Sequence, residues 1–432
     1  MGKPQGSLYW KLNNWIKQNN QFFNMGKVWD FLSRFRIRYL RKSGQKIRVV
    51  FLVHNVSTLD CFIPLMRVMG DDKRFEVLTA SLNKKFPGDQ AYAGEEYVHQ
   101  ELVRLGIEHT RLGMQDSMKG RDILKAMKPD IIFRQSPWDD DIQKGYRTEN
   151  LMFSNLCYTP YYGIHIVNNG EKDRLHIDQP FHRHCWKIFV DSATASEYYE
   201  KSKLHGKNIV VTGLPKYEYL WRYMKDNRRE TKQEADFEKY IIWAPHHSID
   251  KNWFNFATFH KIYRFMLDYV ESRPYYHFVF RPHPAFYNNY ISSGVLSKKE
   301  MDLFYDRWNS LNNTSISDNE DYANIFLKSD AMITDGISFL ASYQMTGNPL
   351  IWTKNEGCQE FTELGKKMAE SLYIIKDTEI TKIGELLDRL LFDASSDFLK
   401  EKRESFVFES LFDKDGRVSE KIAENIFKSI CC

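Results

Sequence analysis

Three short polar motifs, each placed after an apolar run, hold the side chains best suited to binding an anion. They are Trp243-Ala244-Pro245-His246-His247-Ser248, then Arg281-Pro282-His283-Pro284, then Ile333-Thr334-Asp335-Gly336-Ile337-Ser338. The runs Tyr240 to Trp243, Tyr276 to Phe280 and Ala331 to Thr334 have the length and residue types of buried strands. Each motif is therefore expected just past a strand's carboxyl end, the edge of an open parallel sheet where ligands bind.

The turn through Thr334, Asp335, Gly336 and Ser338 runs straight into a helix pattern. Backbone N–H groups, the hydroxyls of Thr334 and Ser338 and the positive end of the helix are expected to converge there on an anion, most often phosphate. The bland alternative makes Ser338 an N-cap and Gly336 a tight turn. Arg281 and His283, fixed by the flanking Pro282 and Pro284, add a permanent cation and a titratable donor. Pro245, His246 and His247 repeat that pattern, which favours binding over a structural role. No glycine-rich lysine loop and no G-x-G-x-x-G is present, which argues against a P-loop NTPase or a dinucleotide enzyme.

The first half of the chain offers candidates for proton transfer. His54 follows the strand pattern Ile47 to Val53, and His165 closes the stretch Tyr158 to His165; either could act as general base, with Asp60 as an outside candidate. Two other groupings carry less. His176, His182, His184 and Cys185 match no familiar zinc spacing, so no metal is expected. Asp139, Asp140 and Asp141 after Trp138 have the spaced acids of metal-dependent sugar transferases, but read as a polar loop.

Around these residues the pattern alternates strand and helix. Strands are expected at Ile47 to Val53, Phe75 to Ala80, His109 to Leu112, Asp130 to Phe133 and Lys187 to Val190. Helices are expected at Leu59 to Met69, Tyr92 to Leu105, Ser117 to Met127 and Ala193 to Ser202. That alternation makes a parallel sheet covered on both faces, one Rossmann-like unit over 47–220. Ile209 to Lys216 reads as its last strand and exit, and the charged stretch Lys225 to Lys239 as the linker. A second unit spans 240–405, with helices at Phe256 to Val270, Tyr322 to Ser329, Ser338 to Met345, Gln359 to Ser371 and Lys382 to Leu391. A C-terminal helical segment covers 406–432.

At 432 residues, two domains facing a cleft are the natural arrangement. Six scattered cysteines and no signal-peptide pattern point to a reduced, cytoplasmic location, and no window is apolar enough to cross a bilayer. Residues 1–46 stand apart, with ten Lys or Arg, one acid (Asp30) and interleaved aromatics such as Trp10, Trp15, Phe22 and Trp29. They read as a basic helical arm for an anionic membrane surface, or alternatively as an arm packed on protein. Nucleic acid is not an expected partner.

The order and spacing of five stretches in the second half resemble the CDP-glycerol glycerophosphotransferase family, the teichoic-acid and capsule polymerase group. They are Thr212 to Lys216, Ala244 to Ser248, Arg281 to Pro284, Ile333 to Ser338 and Asp415 to Ile422. The resemblance implies a two-domain GT-B fold and transfer of glycerol or ribitol phosphate from a CDP-alcohol to a hydroxyl of a lipid-linked or growing surface glycan. It also implies that His283 meets the donor pyrophosphate and that Thr334 and Ser338 hold phosphate. The family's Trp-His-Gly motif is absent; Tyr161-Tyr162-Gly163 stands in its place, and the base stays unassigned. The expected protein is a cytoplasmic enzyme, peripheral on the inner face of a bacterial membrane, with no tightly bound cofactor or divalent metal. Two alternatives remain: a GT-B glycosyltransferase using a nucleotide sugar, and a non-catalytic nucleotide-binding scaffold subunit.

Overall fold

In the computed structural model the described residues are 44–85, 90–161, 166–168, 176–227, 237–250, 254–317, 322–412 and 415–431. Residues 1–43 of the basic arm, and His165, lie outside them.

The first domain contains strands β1 (Ile47–Val53), β2 (Phe75–Ser81), β3 (Thr110–Arg111), β4 (Ile131–Arg134), β5 (Asn155–Tyr158), β6 (Cys185–Val190) and β7 (Ile209–Val211). They form one parallel sheet in the order β3-β2-β1-β4-β5-β6-β7. Its helices are α1 (Ile63–Asp71), α2 (Glu95–Arg104), α3 (Ser117–Ala126), α4 (Pro180–His184), α5 (Ser192–Lys201) and α6 (Pro215–Asn227). β1 is apolar from Val49 to Val53 because both its faces are covered there. Val49, Phe51 and Val53 enter one core, and Val50 and Leu52 the other. Phe51 sits opposite Phe133 in register, and their rings stack at 5.0 Å.

The second domain repeats the plan with β8 (Lys239–Ala244), β9 (Tyr276–Phe280), β10 (Thr314–Ile316), β11 (Ala331–Thr334), β12 (Leu350–Lys354) and β13 (Tyr373–Lys376), parallel in the order β10-β9-β8-β11-β12-β13. Its helices are α7 (Phe259–Glu271), α8 (Phe286–Ser292), α9 (Lys298–Ser310), α10 (Tyr322–Lys328), α11 (Ile337–Ser342), α12 (Glu363–Ala369), α13 (Lys382–Phe392) and α14 (Lys400–Phe406). In both sheets the strand order reverses beside the first strand, between β1 and β4 and between β8 and β11. Ligand crevices form at such reversals.

Several expectations need correcting. The exit and start of the linker are a helix, α6, begun by Pro215 at a position where its missing N–H costs nothing, with Tyr217, Leu220 and Met224 on its buried face. The expected helix after Leu59 opens as a 3-10 turn, Val56–Cys61, capped by the side chain of Asn55, which accepts from Ser57 N–H. Strands β10 and β13 and helices α8, α9 and α14 were not anticipated. β13 alternates buried and exposed residues, as an edge strand does.

A last helix, α15 (Val418–Cys431), leaves the second domain and packs on α1 of the first. Val418, Ile422, Ala423, Ile426 and Ile430 are buried in a core shared by both domains. Ser419 gives its N–H (2.7 Å) and hydroxyl (2.6 Å) to the buried Glu218 of α6. Burial raises the Glu218 carboxyl, and the two bonds from Ser419 oppose that. Gly213, at φ +88°, lies so close to Val418 that an added Cβ would come within 2.9 Å of its Cγ2. A second seam pairs 166–168 with 360–362, through Asn168 N–H to Glu360 O (2.8 Å) and Thr362 N–H to Ile166 O (3.1 Å).

Candidate active site

Strands β9, β8 and β11 lie side by side, with Trp243 in register with Phe280 and Ala244 with Thr334. Adjacent strands ending together bring the three motifs to one sheet edge. The ladder between β8 and β9 runs on past the strand ends: Arg281 N–H donates to Trp243 O (2.8 Å) and His283 N–H to Pro245 O (3.1 Å). This is the part played by Pro245, whose contact with His283 is through its carbonyl.

Three imidazoles cluster there. The rings of His247 and His283 are 4.0 Å apart at 31°, His246 and His247 are 4.5 Å apart, and His246 and His283 5.1 Å. His246 is buried, the other two half-buried. Burial holds His247 down to about 4; burial and then His247 hold His283 down to about 3. His246 is lowered well below its usual value by burial, then by the other two rings. All three are therefore neutral near pH 7. Asn289 of α8 sets the His247 ring, with its amide nitrogen 2.6 Å from Nδ1. Arg281 is half-buried, and its Nη1 donates to Ser317 Oγ at 2.8 Å.

The β11 turn differs from expectation. Thr334 is buried; its hydroxyl donates to Ala244 O (2.6 Å) and accepts Gly336 N–H (2.9 Å). That hydroxyl and that N–H are spent on the turn itself. Asp335 is a brace: Oδ1 accepts His246 N–H (2.5 Å), and Oδ2 accepts the N–H (2.5 Å) and hydroxyl (2.9 Å) of Thr258. Burial pushes its carboxyl up to about 6 against the bonds from Thr258 and His246. Gly336 lets His246 lie close, since an added Cβ would sit 3.4 Å from its Cδ2. Ser338, one residue into α11, is exposed.

On the first domain His54 follows β1 at the strand-order reversal. It is 5% exposed, and neither ring nitrogen has a hydrogen-bond partner. Burial, then Lys84 and Arg134, hold it well below its usual value. Gln135 clamps the loop: Oε1 accepts the N–H of His54 (3.0 Å) and of Asn55 (2.9 Å), and Nε2 donates to Asn55 O (2.7 Å). Those two N–H groups are thereby engaged within the loop. Asp60 accepts the hydroxyl of Tyr322, from α10 of the other domain, which engages the carboxylate considered as a base.

The discounted groupings behave as structural features. Asp139 accepts Arg134 Nη1 (2.7 Å) and the N–H (2.9 Å) and hydroxyl (2.8 Å) of Thr148; Asp141 accepts Ser136 Oγ (2.9 Å). His182 Nδ1 accepts Gln179 N–H, His184 Nδ1 meets Pro180 O, and His176 packs edge-on to Trp138. Asn289, Thr258 and Gln135 were missed by sequence reasoning, since each acts on a loop distant from it in the chain.

Comparison with solved structures places this architecture among known enzymes. The chain superposes on UDP-GlcNAc 2-epimerase from Neisseria meningitidis bound to UDP-GlcNAc with a TM-score of 0.58 at 12% identity, covering 88% of this chain and 100% of that one. S. aureus MnaA with UDP gives 0.59 at 12% identity, covering 90% and 98%. The wall teichoic acid polymerase TagF gives 0.56 at 15% identity, covering 95% and 98%. At these identities the likeness concerns the fold, two Rossmann-like domains in the GT-B arrangement. Curated protein sequences give no match. The family model of CDP-Glycerol:Poly(glycerophosphate) glycerophosphotransferase matches residues 167–428, more than half of the chain and the whole of the histidine-bearing sheet edge. The chain is therefore a transferase and belongs to the CDP-glycerol:poly(glycerophosphate) glycerophosphotransferase family.

Proposed function

We propose that the protein transfers glycerol phosphate from CDP-glycerol to a hydroxyl of a lipid-linked or growing surface glycan of the teichoic-acid type. The observation that carries this reading is the meeting of His246, His247 and His283 at the edge of β9 and β8, beside the β11 turn, with Arg281 on the same loop as His283 and its guanidinium on Ser317. The donor pyrophosphate sits there.

The acceptor oxygen attacks the β-phosphorus of CDP-glycerol. A new P–O bond forms, the bond to the bridging oxygen breaks, and its electron pair leaves with CMP. Arg281 and His283 offset the charge that develops on the pyrophosphate, and preorganised donors of this kind supply large rate factors. No divalent ion is needed in this reading. His54, placed after β1 at the carboxyl edge of the first sheet, takes the acceptor proton in this reading. The basic segment 1–46 holds the enzyme to an anionic membrane, where such an acceptor resides.

The test is turnover of the purified chain with CDP-glycerol, CDP-ribitol and UDP-sugars against a glycan acceptor, with and without EDTA. CMP release from CDP-glycerol that survives EDTA is expected. Product from a UDP-sugar alone would replace this reading with glycosyl transfer, and binding without product would make the chain a scaffold.

A further inference from the structure

In the segment that leaves β4, Ile142, Tyr146 and Leu151 are fully buried, whereas Trp138 is half-buried and packs on none of the three apolar cores among the described residues. Its plane is nevertheless fixed. The indole N–H donates to the phenol oxygen of Tyr161, and the ring of His176 stands at 88° to it, 5.6 Å away. The backbone N–H of Trp138 donates to Ser136 Oγ (3.2 Å), and its carbonyl accepts Asp141 N–H (3.3 Å). An indole held rigid outside a core offers a ready surface to a flat apolar face.

The indole shares the carboxyl edge of the first sheet with His54. β1 and β4 are neighbours, with Leu52 in register with Arg134, so the loops holding His54 and Trp138 leave the sheet side by side. Gln135, between β4 and Trp138, ties them through the His54 N–H. Asp141 lies in the same loop: Ser136 Oγ donates to its Oδ2 (2.9 Å), and no hydrogen bond reaches Oδ1 from the described residues. The charge of Lys84, just after β2, acts on both His54 and Asp141. The side chain of Asp140 is 99% exposed.

A carboxylate beside an aromatic plane suits a hydroxyl-rich, uncharged group with a flat C–H face. A sugar ring has that shape, its hydroxyls donating to the carboxylate while its C–H face lies on the indole. A glycerol phosphate chain has no such face, and its phosphodiesters are repelled by Asp140 and Asp141. We propose that Trp138 and Asp141 form the acceptor platform beside His54, and that the accepting hydroxyl belongs to a sugar ring and not to the end of a poly(glycerol phosphate) chain. This rests on the glycerol phosphate transfer proposed above for the reaction, and adds to it the class of acceptor. The sugar oxygen bonds to the β-phosphorus as CMP departs, and its proton passes to His54.

Saturation-transfer NMR on the full-length protein tests this with three probes: octyl β-glucoside, octyl N-acetyl-β-glucosaminide and an octyl tri(glycerol phosphate), whose common tail cancels in the comparison. Saturation of the ring C–H protons of at least one sugar is expected, with weaker binding of the glycerol phosphate probe. Trp138→Ala is expected to weaken sugar affinity about tenfold and Trp138→Phe to recover most of it, with CDP affinity unchanged in both. Tighter binding of the glycerol phosphate probe, no saturation of either sugar in the unaltered protein, or sugar affinity within about twofold of wild type in Trp138→Ala would overturn the proposal. Trp138-dependent sugar binding without CMP release from CDP-glycerol would leave the platform standing and remove the glycerol phosphate reading. CMP release with the glycerol phosphate probe alone would remove the platform and leave that reading intact. The choice between sugar and glycerol phosphate is read on the unaltered protein, so misfolding of a variant does not decide the outcome.

Discussion

Asp335 accepts the backbone N–H of His246 at 2.5 Å, tying the turn after β11 to the histidine loop after β8. The same carboxylate holds Thr258 just before α7, so three segments meet on one buried side chain. Replacing it with Asn turns one acceptor oxygen into a donor facing N–H groups. Asp335→Asn is expected to lose about 2–4 kcal/mol, read as a lower urea midpoint with an unchanged slope. A loss below 0.5 kcal/mol would show that the brace is dispensable.

His283 is expected to matter for rate. His283→Ala should lower kcat by about 10²-fold or more if the ring meets developing charge. A change of less than threefold would remove it from the mechanism.

The buried imidazoles also set a pH dependence. An unfolded histidine titrates near 6.5, whereas folded His283 does so at about 3 and His247 at about 4. The unfolded chain therefore binds more protons, and this stabilisation is full above about 6.5 and is lost as pH falls toward 3. Asp335, raised to about 6, works in the opposite sense between about 4 and 6. Between pH 7.5 and 5 the wild type is expected to lose about 1–2 kcal/mol more than His283→Gln, measured by unfolding at both pH values. Equal losses would mean the ring is not held neutral.

The domain seam should be sensitive at Gly365, where an added Cβ would meet Ile166 O at 2.1 Å. That oxygen is held by Thr362 N–H, so it cannot retreat without breaking the pairing. Gly365→Ala is expected to cost about 2–4 kcal/mol and to expose 166–168 to protease. Wild-type protease resistance would refute this.

Removal of residues 1–42 should abolish flotation with anionic liposomes while leaving donor binding intact. Unchanged flotation would reject the membrane role of the arm.

The cores of both sheets were legible because strands covered on two faces are strongly apolar, as in Val49 to Val53 and Phe278 to Phe280. The site's location followed from the same runs, since motifs after neighbouring strands must meet. Short edge strands were not legible: Thr314 to Ile316 carries one strong apolar residue. Helix α6 was hidden by its mixture of aromatics and charges, whose buried face shows only once α15 covers it. Thr334 was misread because its partner, Ala244 O, belongs to another strand and appears only with the register. Asn289 and Gln135 gave no local sign of the loops they hold.

The crossing helix has a consequence for synthesis. Its apolar stripe, Val418, Ile422, Ile426 and Ile430, caps a surface made hundreds of residues earlier. While the chain is still emerging from the ribosome, α1 and α6 must wait with that greasy face uncovered. The first lobe is thus finished by a helix made after the second sheet, and a chain stalled before it would present a ready target for chaperones.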